Sequence, residues 1–358
     1  MCIRDRLLTM TTSPARRPLL VLFGGRSAEH DVSCVTAKHV LAAAREDRYD
    51  IIPVGIDREG NWAKASVHQD GDALDPTGEP VEPFQLFCSI RSAGGAVLPL
   101  LHGPMGEDGT IQGLCELADV PYAGAGVLAS ALAMDKIAAK NALLAAGVPQ
   151  AAFIGLNVDE ITNETAEVLL GRLGSPVFVK PANMGSSVGV TRAETVDEVN
   201  ESLRIAASYD EWIVVEEAIV GREIEIAVLG NRSPRTSLPG EIVAGADFYT
   251  YEDKYHDGVA KLLIPAPLDD SEIAEMQKLA VAAYRALRVE GLSRADFFYE
   301  PEGRGWLVNE LNTMPGFTPI SMYPKMWEAS GLSYPDLIDE LIDLAYERRD
   351  RQVRNTGH

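Results

Sequence analysis

The stretch Lys180-Pro181-Ala182-Asn183-Met184-Gly185-Ser186-Ser187-Val188-Gly189 joins two segments rich in β-forming residues. Strands are predicted in Val177–Lys180 before the glycines and in Val188–Thr191 after them. A Walker A loop instead joins a strand to a helix and carries Gly-Lys-Ser/Thr. We interpret Gly185–Gly189 as a mobile hairpin whose N–H groups and hydroxyls cover phosphates, with Lys180 meeting a phosphate. Taken alone, the same glycines fit any flexible turn.

A strand predicted over Trp306–Asn312 carries two oxygen-bearing side chains. Because side chains alternate along a strand, Glu310 and Asn312 are expected on one face, together with Val308. A carboxylate and an amide oxygen suit Mg2+, which takes oxygen ligands from proteins and from phosphates. This strand therefore predicts metal ligands.

A second predicted strand, Ser293–Tyr299, places Arg294 and Asp296 on one face by the same rule. If the two strands pair, Asp296 joins the metal ligands and Arg294 lies beside them. The alternative, a solvated polar face, is favoured for either strand alone but not for two strands that both have apolar flanks.

The N-terminal part predicts a Rossmann-like layer. Pro18–Gly25 is an apolar run ending in two glycines, Ser33–Ala44 has a helical pattern and Tyr49–Ile56 is a second strand, which together predict a βαβ unit. There is no complete GxGxxG, so a dinucleotide is not indicated. An irregular excursion is predicted over Asn61–Gly95, before a strand over Ala96–Leu101.

Loops at the carboxyl ends of parallel strands are where such sheets bind ligands. Glu29 follows the first strand and is a candidate for binding an ammonium group, or else for capping the next helix, where Ser33 is a candidate cap. His102 directly follows the strand predicted over Ala96–Leu101, so it is expected at the same carboxyl edge of the sheet as Glu29.

Two further segments suggest nucleotide contacts. A helix predicted over Val127–Ala146 carries Lys136, which alone would be taken for a surface residue. The segment Val214–Glu223 resembles a crossing between two sheets, where adenine and ribose are commonly held. An ordinary connection between strands is an equal alternative for that segment.

Composition narrows the function classes. The 358 residues exceed a usual single core, so two or three domains are expected. A net charge of −21 makes nucleic-acid binding unlikely as the main task, and no apolar run reaches the ~20 residues of a membrane span. The cysteines form no CxxC pair and predict neither zinc nor disulfides; they are Cys2, Cys34, Cys88 and Cys115.

The first 17 residues look foreign to the fold that follows them. They contain several charged residues and lack the apolar core of a signal peptide, which predicts a cytoplasmic protein. We expect translation to begin at Met10, or residues 1–8 to be extraneous.

With these motifs in place, the chain resembles the D-alanine–D-alanine ligases of the ATP-grasp superfamily, from about Pro18 to Ala345. The motifs that carry the resemblance occur in the family's order; they are Gly24–Glu29, His102–Gly109, Met134–Lys136, Lys180–Gly189, Gly221–Glu223, Ser293–Asp296 and Asn309–Gly316.

The resemblance implies an α/β (α+β ATP-grasp) fold, with a Rossmann-like N-terminal domain followed by a two-lobed ATP-grasp domain. The expected units are an N-terminal extension, a substrate domain, a central subdomain, a C-terminal subdomain and a charged, frayed tail, with boundaries at 1–17, 18–123, 124–216, 217–346 and 347–358. It also implies a homodimer, and D-alanine and ATP as small-molecule partners, with no nucleic acid or membrane.

The resemblance also assigns the nucleotide and its metals to particular residues. The expected ATP contacts are Lys136, Lys180, Ser187, Glu216, Glu217, Ile219 and Glu223. Asp296, Glu310 and Asn312 would hold two Mg2+ (or Mn2+) ions.

For the amino-acid substrates, the resemblance implies that Glu29 takes the ammonium of the first D-alanine, with His102 near its carboxylate. Arg294 and the backbone N–H of Gly316 would form an oxyanion hole. Ser321 and the backbone of Met322 would bind the carboxylate of the second D-alanine.

Tyr249–Tyr255 looks like the family's mobile ω-loop, in which Tyr255 would link to Ser186 and through it to Glu29. The related D-alanine–D-lactate ligases typically carry histidine where tyrosine stands here, so Lys254 and Tyr255 favour an amine acceptor. A D-alanine–D-lactate ligase, or another ATP-grasp carboxylate–amine ligase, is the alternative. A non-catalytic relative should have lost a metal ligand or the arginine, and none is lost here.

Overall fold

The computed structural model describes residues 16–67, 71–243 and 261–352, in which three β-sheets are flanked by helices. The strands are β1 (Arg17–Gly24), β2 (Tyr49–Ile56), β3 (Trp62–Lys64), β4 (Glu79–Pro80), β5 (Ala96–Pro99), β6 (Phe153–Asn157), β7 (Val177–Pro181), β8 (Thr191–Ala193), β9 (Trp212–Glu217), β10 (Arg222–Leu229), β11 (Arg235–Thr236), β12 (Gly240–Val243), β13 (Lys261–Leu263), β14 (Leu292–Glu300) and β15 (Gly305–Asn312). The helices are α1 (His30–Ala43), α2 (Pro83–Ser92), α3 (Thr110–Ala118), α4 (Val127–Met134), α5 (Lys136–Ala145), α6 (Thr165–Leu173), α7 (Val196–Ala207), α8 (Asp270–Ala286), α9 (Met322–Ala329) and α10 (Tyr334–Arg351).

The first sheet has the order β4-β3-β2-β1-β5, with β1 parallel to both β2 and β5. Alternate residues of β1 are buried against helices on opposite faces, Leu19 and Val21 in one core and Leu20 and Leu22 in another. A strand covered on both faces must be apolar throughout, which is why it appears as a continuous hydrophobic run. The predicted βαβ start and Rossmann-like layer are confirmed.

Two predictions about this layer are wrong. The segment Asn61–Gly95 is not irregular, because it contains β3, β4 and α2, and α2 buries Phe87 and Ile90 on one face. Ser33 does not cap α1, since the helix begins at His30. The Ser33 hydroxyl instead lies in the core, where it donates to the Leu100 carbonyl oxygen and accepts from the Gly24 N–H.

The second sheet is antiparallel, with the order β6-β9-β7-β8. One face carries apolar residues, such as Val179 and Val215, that pack in a core with α6 and α7. Phe178 lies directly opposite Glu216 in the register, so Glu216 and Lys180 share the other face. This sheet therefore presents a carboxylate and an ammonium group on the side away from its helices.

A strand over Val188–Thr191 was predicted, but β8 begins only at Thr191. The preceding residues form a turn, with φ of +50° at Ser186, +60° at Ser187 and +71° at Gly189. A left-handed backbone cannot continue a strand.

The third sheet has the order β13-β12-β10-β14-β15, with β11 also paired to β10. The two strands predicted to carry metal ligands are neighbours, and Asp296 lies opposite Glu310 in their register. An irregularity in the pairing follows Asp296, where the next partner along β15 is Val308 and not Asn309.

This bulge overturns the prediction that Val308 shares a face with Glu310 and Asn312. Val308 and Leu311 are both buried in the core with α8, although they lie three residues apart. One extra residue in a strand shifts the alternation of its side chains. The polar pair is thereby directed away from that core.

Trp306 at the start of β15 anchors this core. Its ring stacks on Tyr299 with centroids 4.0 Å apart and meets Phe297 edge-on at 5.9 Å. We predict that Trp306→Ala lowers the free energy of unfolding by about 3–5 kcal/mol, because a buried aromatic ring is replaced by a cavity. Denaturant unfolding checks this, with Trp212→Ala as the control because Trp212 is 43% exposed. Equal losses in the two variants would contradict the prediction.

The C-terminal helix α10 continues to Arg351, so the prediction of a frayed tail from residue 347 is wrong for residues 347–351. Arg348 is buried; it donates to the carbonyl oxygens of Tyr122 and Gly124, and its guanidinium lies 4.1 Å from the centroid of the Tyr122 ring. This contact fastens the helix end to the segment before α4. At the other end, β1 includes Arg17, which had been assigned to the N-terminal extension.

No helix within residues 16–67, 71–243 and 261–352 combines the length and apolar character needed to cross a membrane.

Candidate active site

A cavity between the second and third sheets brings together four of the predicted site residues. It is lined by Lys136 from α5, Lys180 from β7, Glu216 from β9 and Glu310 from β15, together with apolar residues including Leu287. We call this space the central cleft. Ammonium groups and carboxylates from distant parts of the sequence meet here, as the separate motifs had predicted.

Lys136 reaches the central cleft because the helix predicted over Val127–Ala146 is broken in two. Asp135 has an extended backbone (φ −79°, ψ 105°), and its side chain accepts a hydrogen bond from the Ala138 N–H as the N-cap of α5. The Lys136 N–H donates to the Ala182 carbonyl oxygen, and its ammonium donates to the Met184 carbonyl oxygen at 2.5 Å. The break thus joins Lys136 to the chain that enters the glycine-rich loop.

Glu216 lies between two ammonium groups. Its carboxylate oxygens are 3.0 Å from the Lys180 Nζ and 3.4 Å from the Lys140 Nζ. Burial alone would raise the pKa of Glu216, but the two lysines outweigh it and lower that pKa to about 2. Burial lowers the pKa of Lys140, whereas the nearby carboxylates overcome burial at Lys180 and raise its pKa.

The Glu216 pKa predicts a loss of stability in acid. A carboxyl group whose pKa falls on folding, here from 4.5 to about 2, stabilises fully above its unfolded pKa. This contribution, up to about 3 kcal/mol, is lost as the pH falls from about 4.5 towards 2. Denaturant unfolding at pH 5 and pH 2.5 checks this.

In that comparison, wild type should lose more stability than Glu216→Gln over the same interval. Gln substitution of the exposed Glu46 should leave the wild-type dependence unchanged. Parallel curves for wild type and the Glu216 variant would contradict the prediction.

Arg294 forms a buried charge network on β14 of the third sheet. Its guanidinium donates two hydrogen bonds of 2.7 Å to the two oxygens of Asp296 and lies 3.1 Å from Glu225. Burial disfavours the charged guanidinium, but Asp296 and Glu225 raise the pKa of Arg294 well above its usual value. Asn312 donates a further hydrogen bond of 2.9 Å to Asp296. The arginine is therefore held charged and fixed in direction.

The donor set around Asp296 suits a hard divalent cation. Asp296 and Glu310 are cross-strand neighbours, and Asn312 adds an amide oxygen close to them. Within the described ranges, no group of three or more His, Cys, Asp or Glu side chains is arranged for a metal. The protein thus offers two carboxylates and an amide, which fits Mg2+ that keeps waters and binds substrate phosphates.

The glycine-rich loop contacts the first sheet through Ser186, whose hydroxyl donates to the Glu29 carboxylate at 2.5 Å. A β-carbon at Gly185 would lie 3.2 Å from the Glu29 Oε2, and one at Gly103 would lie 3.0 Å from the same atom. Glycine at both positions lets two loops close around this carboxylate. Glu29 is the N-cap residue of α1, as the capping alternative expected, but its side chain makes no capping hydrogen bond.

His102 is buried beside this carboxylate. Its Nδ1 lies 3.1 Å from the Met314 carbonyl oxygen and 3.8 Å from Glu107, which accepts from the Gly103 N–H. Burial alone would lower the pKa of His102, but Glu107 and Glu29 raise it. His102 therefore joins the loop after β5 to the loop after β15.

The loop after β15 carries the predicted acceptor-site residues. A β-carbon at Gly316 would lie 3.1 Å from the Ser321 hydroxyl, so the two residues are in close contact. That hydroxyl lies 2.8 Å from the Thr318 hydroxyl, and Ser321 precedes Met322, the first residue of α9. N–H groups at the start of α9 are suited to a carboxylate.

Other predicted nucleotide residues lie around the crossing from β9 to β10. Glu223 is the second residue of β10 and pairs with Phe298 of β14, and Ile219 is half-buried in the connection. The Glu217 carboxylate is directed elsewhere, since it accepts from the Ala152 N–H and from Arg304, each at 2.7 Å. The structure does not bring the Glu217 side chain into the central cleft.

Of three further predicted site residues, the structure describes only Ser187. Ser187 lies within the glycine-rich turn, where its carbonyl oxygen accepts from the Val190 N–H. Lys254 and Tyr255 lie outside the described residues.

Three residues of the site were not predicted from the sequence. Lys140 follows Lys136 by four residues, a spacing that places both on one helix face. Glu225 follows Glu223 by two and therefore shares its face of β10. Glu107 gave no signal of its own beyond its place in the motif His102–Gly109.

Comparison with known proteins agrees with this architecture. The family profile described as D-ala D-ala ligase N-terminus matches residues 18–125, and that described as D-ala D-ala ligase C-terminus matches residues 143–343. A D-alanine–D-alanine ligase of Arthrobacter sp. (strain FB24) is 46% identical, over 96% of this chain and 98% of the relative. The corresponding ligase of Thermoanaerobacter sp. (strain X514) is 44% identical, over 95% of this chain and 99% of its own.

Solved structures match as well. The D-alanine–D-alanine ligase from Coxiella burnetii superimposes with a TM-score of 0.79 at 35% identity, over 94% of this chain and 97% of that one. The VanG D-Ala:D-Ser ligase from Enterococcus faecalis gives 0.80 at 34% identity, over 92% and 100%.

The second and third sheets thus enclose the central cleft in an ATP-grasp fold, behind a Rossmann-like N-terminal layer. Family profiles cover most of the sequence, and the identities above extend over nearly its full length. The chain belongs to the D-alanine–D-alanine ligase family.

Proposed function

We propose that this protein is an ATP-dependent ligase that joins two D-alanines into D-alanyl-D-alanine through an acyl phosphate, for peptidoglycan precursor synthesis. Family membership supports the activity. The observation that carries it in the structure is the central cleft, where Lys136, Lys180 and Glu310 meet close to the Arg294–Asp296 pair.

The nucleotide would occupy the central cleft. Lys136 and Lys180 would supply positive charge for the phosphates, and the turn containing Ser187 would cover them. Glu216, the backbone at Glu217 and Ile219, and Glu223 would hold adenine and ribose. In the described structure these lysines donate hydrogen bonds to Met184 and Glu216.

Asp296, Glu310 and Asn312 would hold two Mg2+ (or Mn2+) ions, which would supply charge neutralisation for the transferred phosphoryl group.

The first D-alanine would place its ammonium on Glu29, between the loops that carry Gly103 and Gly185, with its carboxylate near His102. One carboxylate oxygen attacks the γ-phosphorus of ATP, the bond to the bridging oxygen breaks, and ADP leaves. The lysines stabilise the charge on the phosphates during this transfer.

The second D-alanine would bind with its carboxylate at Ser321 and the Met322 N–H. Its neutral amine attacks the carbonyl carbon of the acyl phosphate, and the oxyanion is stabilised by Arg294 and the Gly316 N–H. The C–N bond forms, inorganic phosphate leaves, and the amine loses a proton.

An acyl phosphate hydrolyses in water, which gives a physical reason to close the site. The bond from Ser186 to Glu29 closes it on one side. We propose that Lys254 and Tyr255 favour an amine acceptor over D-lactate.

Phosphate release from ATP and Mg2+ tests the proposal, with D-alanine alone, with L-alanine, and with D-alanine plus D-lactate or D-serine. Mass spectrometry identifies each product. Release with D-alanine and a D-alanyl dipeptide product is expected. If the preferred product were a depsipeptide or D-alanyl-D-serine, the acceptor would be D-lactate or D-serine and not D-alanine. No release with any of these compounds, despite ATP binding, would overturn the function.

We further propose that the protein acts in the cytoplasm as a homodimer. Its working units would be a substrate domain over residues 18–123, a central subdomain over 124–216 and a C-terminal subdomain over 217–346. ATP and the product's place in cell-wall synthesis support this location, and size-exclusion chromatography with light scattering tests the dimer.

A further inference from the structure

A third lysine, Lys140, stands behind the two assigned to the phosphates. It lies one helical turn after Lys136 on α5, and its side chain is almost completely buried. Its ammonium is 3.4 Å from one Glu216 oxygen and 5.6 Å from the centroid of the Phe153 ring. A buried ammonium group is energetically costly unless it is paired with an anion, and Glu216 is the anion that pairs with Lys140.

Lys140 also lines the central cleft, but its ammonium group is buried in the described arrangement. Its Nζ exposes almost no surface, and among the described residues it has no partner in hydrogen-bonding geometry. Glu216 is the carboxylate at ion-pair distance from it. We therefore expect Lys140 to affect the central cleft chiefly through Glu216.

Glu216 needs more than one cation once a nucleotide binds. In the described structure its two oxygens are shared between Lys140 and Lys180, with the Lys180 ammonium at 3.0 Å. A phosphate in the central cleft would compete for Lys180. Without Lys140, the negative charge of the buried Glu216 would then be only partly balanced by an ammonium group, which is energetically costly.

We propose that Lys140 is a positioning residue, the permanent counter-ion of Glu216, which leaves Lys180 available to the nucleotide phosphates. This inference rests on the proposed function. Lys140 would matter most in the nucleotide-bound state, because Lys180 then interacts with a phosphate as well as with Glu216. A purely structural lysine would affect folding and leave the nucleotide affinity of the folded protein unchanged.

The test compares Lys140→Met, which keeps the length of the side chain and removes its charge, with wild type. We expect the ADP dissociation constant and the KM for ATP to rise about ten- to a hundredfold, because a buried carboxylate loses one partner. The KM values for D-alanine should change less than about twofold, since Lys140 contacts none of the residues proposed to bind D-alanine. ADP binding is measured by calorimetry on the full chain, so this result does not depend on turnover.

Two further variants show whether the effect passes through Glu216. Lys140→Arg should restore most of the ADP affinity because it restores the charge. In a Glu216→Gln background, Lys140→Met should alter ADP affinity less than about threefold, because a neutral amide needs no counter-ion. Lys278→Met, at an exposed position on α8, serves as the matched control and should match wild type.

A folded Lys140→Met variant with wild-type ADP affinity would overturn the inference. So would an equal loss of affinity in the wild-type and Glu216→Gln backgrounds. If Lys140→Met does not fold, the double variant should fold, because the unbalanced carboxylate has been removed. A double variant that fails to fold would then assign Lys140 to packing alone. Failure of the proposed ligase function would instead appear in wild type, as ADP binding without any D-alanine-dependent phosphate release.

Discussion

Arg294→Ala is expected to lower the turnover of D-alanine by about a thousandfold, because it removes the charged donor opposite the developing oxyanion. The guanidinium is held by a two-bond fork on Asp296 and by Glu225, so its direction is set before substrate binds. A donor fixed in this way needs no reorganisation during the reaction. ADP affinity should fall much less, since Arg294 does not line the space around Lys136 and Lys180.

Arg294→Lys distinguishes charge from geometry. A lysine keeps one positive charge but cannot span Asp296 and Glu225 with a planar fork. We expect it to recover only a small part of the lost turnover. Arg235→Ala is the matched control, because Arg235 also pairs with a carboxylate, Glu340, but at an exposed position. Near-normal turnover in Arg294→Ala would remove the arginine from the chemistry.

The polar strands show how much of this site could be predicted from the sequence. Alternation along β14 correctly placed Arg294 and Asp296 on one face, because a regular strand has a period of two. The same rule failed for Val308, since the bulge at Asn309 belongs to the pairing of β15 with β14. The pairing of two strands depends on residues far apart in the sequence, so the local pattern of Trp306–Asn312 could not predict the shift in side-chain alternation.

The break at Asp135 has a different cause. The residues around it are good helix formers, so a continuous helix was the local expectation. Aspartate is also a favoured N-cap, and the contact from the Lys136 N–H to Ala182 selects that second possibility. Lys140 was missed because a helical lysine is ordinarily exposed, and only the facing Glu216 makes its burial possible.

Glu29→Gln is expected to raise the KM for the first D-alanine about a hundredfold, with a smaller effect on ATP. The amide keeps the size of the side chain and can still accept a hydrogen bond from Ser186. It lacks the charge that would hold an ammonium group, and loss of one partner from a partly buried ion pair is costly. Initial rates over a wide range of D-alanine concentration measure this change.

Ser186→Ala separates the charge of Glu29 from the closure of the loop. It leaves the carboxylate intact and removes the bond that joins the glycine-rich turn to α1. We expect ATP hydrolysis without ligation to increase in this variant, because an open cover admits water to the acyl phosphate. The KM for the first D-alanine should rise less than in Glu29→Gln. If the serine variant shows the larger rise in KM, the ammonium is not held by Glu29, and the bond between the two residues serves closure alone.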